Sequence, residues 1–153
     1  MRLSAVLFAI VALAETILGQ AAKRKGLEIK ELPTSVQQTV QANLRGGQIR
    51  NISREKEKGV EQFEIESILS GKRRDFNVDS KGVLLETEEE TTLELLPASA
   101  KAGILKKVGA GKLDTVETFS KPGKPLMYEA SYTDKLGKKR EVLVNEDGAE
   151  TKD

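Results

Sequence analysis

Apolar residues recur in two rhythms that alternate along this chain. Val36, Val40 and Leu44 stand four apart, which places them on one face of a helix. Pro33 suits that helix's first turn, where a missing N–H costs nothing, and Gly46 suits the left-handed residue that closes it. The spacing predicts a helix over about residues 33–45. Ala100, Ile104 and Val108 repeat the pattern after Pro97 and close near Gly109 or Gly111. Gly103 weakens this second helix by about 1 kcal/mol relative to alanine.

Period-two alternation follows each helix. Phe63 and Ile65 alternate with Glu64 and Glu66 in a strand over residues 60–69, and Tyr128, Ala130 and Tyr132 do the same over 126–133. Third strands are expected over 72–78 and 138–144, and a fourth over 83–90, with a short or absent counterpart in 149–153. Ile49 with Ile52, and Leu113 with Val116, open the series at a spacing of three, which predicts a bulged first strand in each set. Ser70-Gly71, Asp79 to Gly82, Asp134 to Gly137 and Asn145 to Gly148 supply the turns.

The two stretches share one plan, each opened by Leu-Pro, at Leu32-Pro33 and Leu96-Pro97. The expectation is an α+β fold of two tandem helix-plus-antiparallel-meander repeats, residues 32–92 and 93–153, with helices packed on one face of the sheet. A unit of about 60 residues buries little surface and is marginal alone, so the two should pack together, and sharing one sheet is one way to do so.

Composition narrows the chemistry. The chain of 153 residues has no cysteine and no histidine, which removes disulfides, thiolate chemistry and imidazole catalysis. The 25 basic and 24 acidic residues nearly cancel, so no field of one sign points to nucleic acid. Met1-Arg2 followed by the apolar run Leu3 to Leu13 has the form of a secretory leader, expected over residues 1–21, with a charged linker over 22–31. The run is shorter than the roughly 20 apolar residues of a stable span. The mature protein is therefore expected in a periplasm or outside the cell, with no stable membrane span.

Leu32-Pro33 with its helix, Gly46-Gly47, Ile49 and Ile52, Phe63-Glu64-Ile65, Phe76-Asn77-Val78-Asp79 and Gly82 together resemble the PepSY-like family of exported bacterial domains. That family is similar in fold to the secreted beta-lactamase inhibitor protein. The resemblance implies a non-catalytic envelope protein that contacts a protein or peptide and restrains a peptidase or other envelope enzyme.

For the contact surface, the basic clusters Lys72-Arg73-Arg74 and Lys138-Lys139-Arg140 stand at equivalent hairpin ends, where they could grip an acidic partner. Tyr128 and Tyr132 would join them if the strand face that carries them is exposed. The alternative is an envelope sensor of a small ligand or metal ion built on Glu86, Glu88, Glu89 and Glu90, although a charged edge strand explains that run as well. Neither a catalytic set, a metal-ligand set nor a cofactor motif emerges. Gly109-Ala110-Gly111-Lys112 fails as a phosphate loop because Leu113 replaces the required hydroxyl residue.

Overall fold

A computed structural model describes residues 26–57 and 59–152. The leader expected over 1–21 lies outside them. Helix α1 (Thr34–Leu44) is followed by β1 (Gln48–Glu57), β2 (Val60–Leu69), β3 (Lys72–Asp79) and β4 (Leu84–Glu90). Helix α2 (Ala98–Val108) is followed by β5 (Lys112–Ser120), β6 (Met127–Thr133), β7 (Lys139–Asn145) and the two-residue β8 (Glu150–Thr151).

The expected pair of tandem meanders is corrected by the sheet. All eight strands form one antiparallel meander in the order β1 to β8. The joint is β4 with β5, paired from Thr87↔Ser120 to Glu90↔Glu117. Two separate meanders would each have left a hydrogen-bonding edge open at this point, and pairing them satisfies both. Glu86 to Glu90 therefore belong to a central strand, which also corrects their reading as a charged edge.

Both helices lie over the same face. Under α1 sit Ile52, Phe63, Ile65, Phe76 and Val78, packed with Val36 and Val40. Under α2 sit Val116, Tyr128, Ala130, Tyr132, Val142 and Val144, packed with Ala100, Ile104 and Val108. The register carries one side of the sheet from Phe76 through Thr87 and Ser120 toward Val116, so the two cores share it. Of the charged connector, Leu27 and Ile29 pack against the first core, and a 3₁₀ turn, Ile29–Glu31, is closed by Glu28 N–H donating to the Glu31 carboxylate at 2.7 Å; a second 3₁₀ turn, Leu93–Leu95, precedes α2.

Two turns fix the helices to the sheet. Gly82 (φ +89°) and Gly148 (φ +84°) press against the backbone of Ser35 and Ser99, in the first turns of α1 and α2. A β-carbon at Gly148 would stand 2.3 Å from the Ser99 carbonyl oxygen, so a side chain there must displace the helix start. The expected bulges also occur, between Ile49 and Asn51 and between Leu113 and Thr115.

Candidate functional site: the acidic open face of the sheet

Alternation in eight strands gives the sheet a second face that neither helix covers. Its residues run in rows across the strands. One row is Asn51–Glu66–Asp75–Glu88–Phe119–Met127–Asn145. The next passes through Glu90↔Glu117 and Glu117↔Glu129. Glu66 thus faces Asp75, Asp75 faces Glu88, and Glu117 faces Glu129, all of one sign. Like charges directly opposite on neighbouring strands disfavour the pairing.

Few internal groups offset this. Arg73 reaches across from β3, and its guanidinium donates through Nε and Nη2 to Glu117 Oε1, the Nε bond at 3.1 Å, while Nε lies 3.4 Å from Asp75. Glu117, although charged, is only 4% exposed. The pair holds Arg73 firmly protonated, chiefly through its hydrogen bond to Glu117. Lys121 lies 3.3 Å from Glu86, which also accepts from Asn77 Nδ2 at 2.8 Å. Asn51 Nδ2 donates to Glu66 at 2.9 Å and Ser53 Oγ to Glu64 at 3.1 Å.

Among the described residues Glu88 has no such donor. Its carboxyl is pushed up to about 8, first by burial and then by Glu129, Glu117, Glu86 and Asp75. Burial also raises Asp75 above its ordinary range, and burial with Glu55 raises Glu64. Beside these groups lies a hollow of about 880 Å³, bordered by Arg73, Glu86, Glu88, Glu117, Glu129 and Ser131. Among the described residues no three carboxylates are arranged to hold a metal ion, which counts against a metal sensor built on Glu86 to Glu90. The arrangement can bind positive charge and can hold or release a proton at Glu88.

The residues expected to form the contact surface are brought together only in part. Tyr128 and Tyr132 are 7% and 6% exposed under α2, a correction to their reading as an open aromatic patch. They share the strand phase of Ala130, which faces the core. Arg74 is 2% exposed and is corrected likewise. It shares the phase of Phe76, lies over that ring at 5.2 Å, and donates to Glu89 at 2.7 Å and to the Asn43 carbonyl at the end of α1 at 2.7 Å. Ser67 Oγ donates to the Arg74 carbonyl beneath. Arg73 turns to the open face and spends its charge on Glu117. Lys72 and Lys138 are exposed at their hairpins. Lys139 is paired to Asp114 at 2.7 Å and Arg140 to Asp134 at 3.1 Å. Arg73, Lys139 and Arg140 nonetheless border the same hollow, while Arg74 is buried, so the fold brings the two basic clusters together only in part.

The carboxylate face was present in the sequence as the polar phase of each strand: Glu64 and Glu66, Asp75, Glu86 and Glu88, Glu117, Glu129. Only the register shows that these phases coincide.

No protein-family model matches this sequence, and no curated protein does. Solved structures match the shape. A protein of Bacteroides eggerthii, whose name places it provisionally in the periplasm, aligns with a TM-score of 0.66 at 14% identity over 79% of this chain and 86% of that chain. A DUF2874 family protein from Bacteroides ovatus aligns at 0.63 and 13% identity, over 79% and 85%. A BLIP-like protein from Bacteroides fragilis aligns at 0.60 and 18% identity, over 79% and 84%. The fold is BLIP-like. At these identities the likeness is one of fold alone. Among the described residues no helix is long and apolar enough to cross a membrane.

Proposed function

We propose that this chain is an exported, non-catalytic binding protein of the bacterial envelope, and that it docks a partner protein on the open face of its sheet. The row Glu66–Asp75–Glu88 carries this reading. Its like charges face each other across three neighbouring strands and disfavour the pairing; Asn51 offsets Glu66, and Arg73 with the Ser67 N–H offsets Asp75, but among the described residues no donor offsets Glu88. A local rule broken without structural gain is characteristic of a surface kept for a partner. The hollow beside the row gives a partner side chain somewhere to enter.

The leader-like residues 1–21, the PepSY-like residue plan and the envelope assignment carried by the name of a structural neighbour support export. The BLIP-like name of another neighbour is in keeping with protein contact as the activity. Restraint of an envelope enzyme is the finer form of the same reading.

Photo-crosslinking in the native host tests it. A photoreactive residue at Ser131, on the rim of the hollow, should yield a discrete crosslinked protein. The same residue at Leu105, exposed on α2, should not. Equal crosslinking from both positions, or crosslinking from Leu105 alone, would remove the open face as the docking surface.

A further inference from the structure

The two halves of the chain differ at one sheet edge, and the half in which that edge is occupied shows what the other accepts. Their elements correspond position for position: Thr34–Leu44 with Ala98–Val108, and Gln48, where β1 begins, with Lys112, where β5 begins. The approach to each helix corresponds too. The 3₁₀ turns Ile29–Glu31 and Leu93–Leu95 precede α1 and α2. Just before them, Leu27 N–H donates to the Ile52 carbonyl and Thr91 N–H to the Val116 carbonyl, each at 2.9 Å. In the second half the chain arrives at Thr91 from β4, which pairs along β5. In the first half it arrives at Leu27 through Gly26, which lies against Asn51 and Ile52 of β1. Among the described residues no strand pairs beyond β1.

We propose that residues 22–26 add a strand to the outer edge of β1, in the register that β4 takes on β5, and close the sheet on that side. The pairs Glu90↔Glu117, Glu89↔Thr118, Glu88↔Phe119 and Thr87↔Ser120 carry over to Gly26↔Ser53, Lys25↔Arg54, Arg24↔Glu55 and Lys23↔Lys56. The Leu27 bond fixes which of these are hydrogen-bonded. It shows that Ile52 directs its carbonyl outward, so Arg54 and Lys56 in the same phase direct their N–H and C=O groups outward as well. Such groups need a partner or water, and residues 25 and 23 are in register to supply one. A leader ending at residue 21 leaves all four pairs available. This edge strand is independent of what the open face binds.

Continuity and charge decide between occupants. Residue 25 is bonded to Gly26, which already lies on this edge, so the chain's own segment competes for it at a high effective concentration that a separate molecule lacks. A second copy pairing β1 with β1 about Arg54 or about Glu55 would set like charges directly opposite one another. The chain's own segment meets a smaller cost of the same kind. Lys25 comes opposite Arg54 and Lys23 opposite Lys56, but Arg54 already lies 3.6 Å from Glu61, and Arg24 comes opposite Glu55. Replacing the two lysines by glutamate should therefore tighten the strand while leaving its backbone bonds in place.

The test compares the chain beginning at Ala22 with one beginning at Gly26, by amide hydrogen exchange read residue by residue by NMR. The Arg54 and Lys56 amides should exchange at least about tenfold more slowly in the longer chain. Thr118, on the corresponding edge under β4, should exchange alike in both and report an intact fold. Lys25→Pro removes the donor to the Arg54 carbonyl and should return the Arg54 amide to its rate in the shorter chain. Lys23→Glu combined with Lys25→Glu should slow both amides further. Equal rates at Arg54 and Lys56 in the two chains would overturn the proposal. So would protection that persists in the shorter chain and grows with protein concentration, which would give the edge to a second copy. Slow exchange that Lys25→Pro leaves unchanged would overturn the register, and the proposal with it.

Discussion

Replacing Glu88 by glutamine should make the protein more stable, and increasingly so as pH rises. In the folded chain the carboxyl ionises near pH 8, against an ordinary value of 4.5. Between those values the folded state holds a proton that the unfolded state has lost. Stability therefore falls as pH climbs through that window, and the favourable contribution of the protonated form is fully present only below pH 4.5. A gap of about 3.5 pH units is worth at most about 5 kcal/mol. Glu88 keeps part of its surface in water, and screening there reduces the figure to about 2 kcal/mol. Asp75 and Glu64 are raised as well and add to the decline in the same direction. Asp114, Asp134 and Glu94 are held below their ordinary range and titrate under this window, so they do not obscure it. Urea unfolding followed by circular dichroism at pH 5, 7 and 9 measures the effect. The native chain should lose stability over that range. Glu88→Gln should lose about 2 kcal/mol less and stand above the native chain at pH 9. Parallel curves for the two proteins would refute the crowding argument.

Two further substitutions test how the sheet and helices are held. Arg74→Met should destabilise the fold by about 2–3 kcal/mol, because it removes charge-assisted bonds to Glu89 and the Asn43 carbonyl while keeping most of the side-chain volume. Lys138→Met, at an exposed hairpin, should change the urea midpoint little. Gly148→Ala should cost more than Gly123→Ala in a thermal melt. Both glycines have positive φ, but an added β-carbon meets the Ser99 carbonyl at Gly148 and nothing within 4 Å at Gly123. The expected penalties are about 3 and about 1 kcal/mol. Similar penalties would show that the β7–β8 turn does not anchor α2.

Much of the local structure was legible because it depends on neighbours in sequence. The apolar spacing of Val36, Val40 and Leu44 placed α1, and the alternation around Phe63 and Tyr128 placed β2 and β6. The three-residue gap from Ile49 to Ile52 marked a real bulge. What alternation does not state is which phase a helix will cover. Tyr128 and Tyr132 stand in phase with Ala130, and Arg74 with Phe76 and Val78, so each follows its apolar neighbours inward. For Arg74 the local charge count argued the opposite, and the carbonyl at the end of α1, Glu89 on the adjacent strand and the Phe76 ring make its burial tolerable. The β4–β5 joint was hidden for a related reason. Glu90 and Glu117 face each other there, and like charges give no sequence signal of pairing. The same joint brings the carboxylates of β3, β4, β5 and β6 together, so the site depends on a pairing whose register the residues alone do not specify.

The central claim is that carboxylates converge on an uncovered sheet face so closely that one of them keeps its proton near neutral pH. A carbon-13 NMR titration of the Glu88 side-chain carboxyl addresses this without any partner. The account predicts a midpoint near pH 8. A midpoint in the ordinary glutamate range, about 4 to 5, would contradict it.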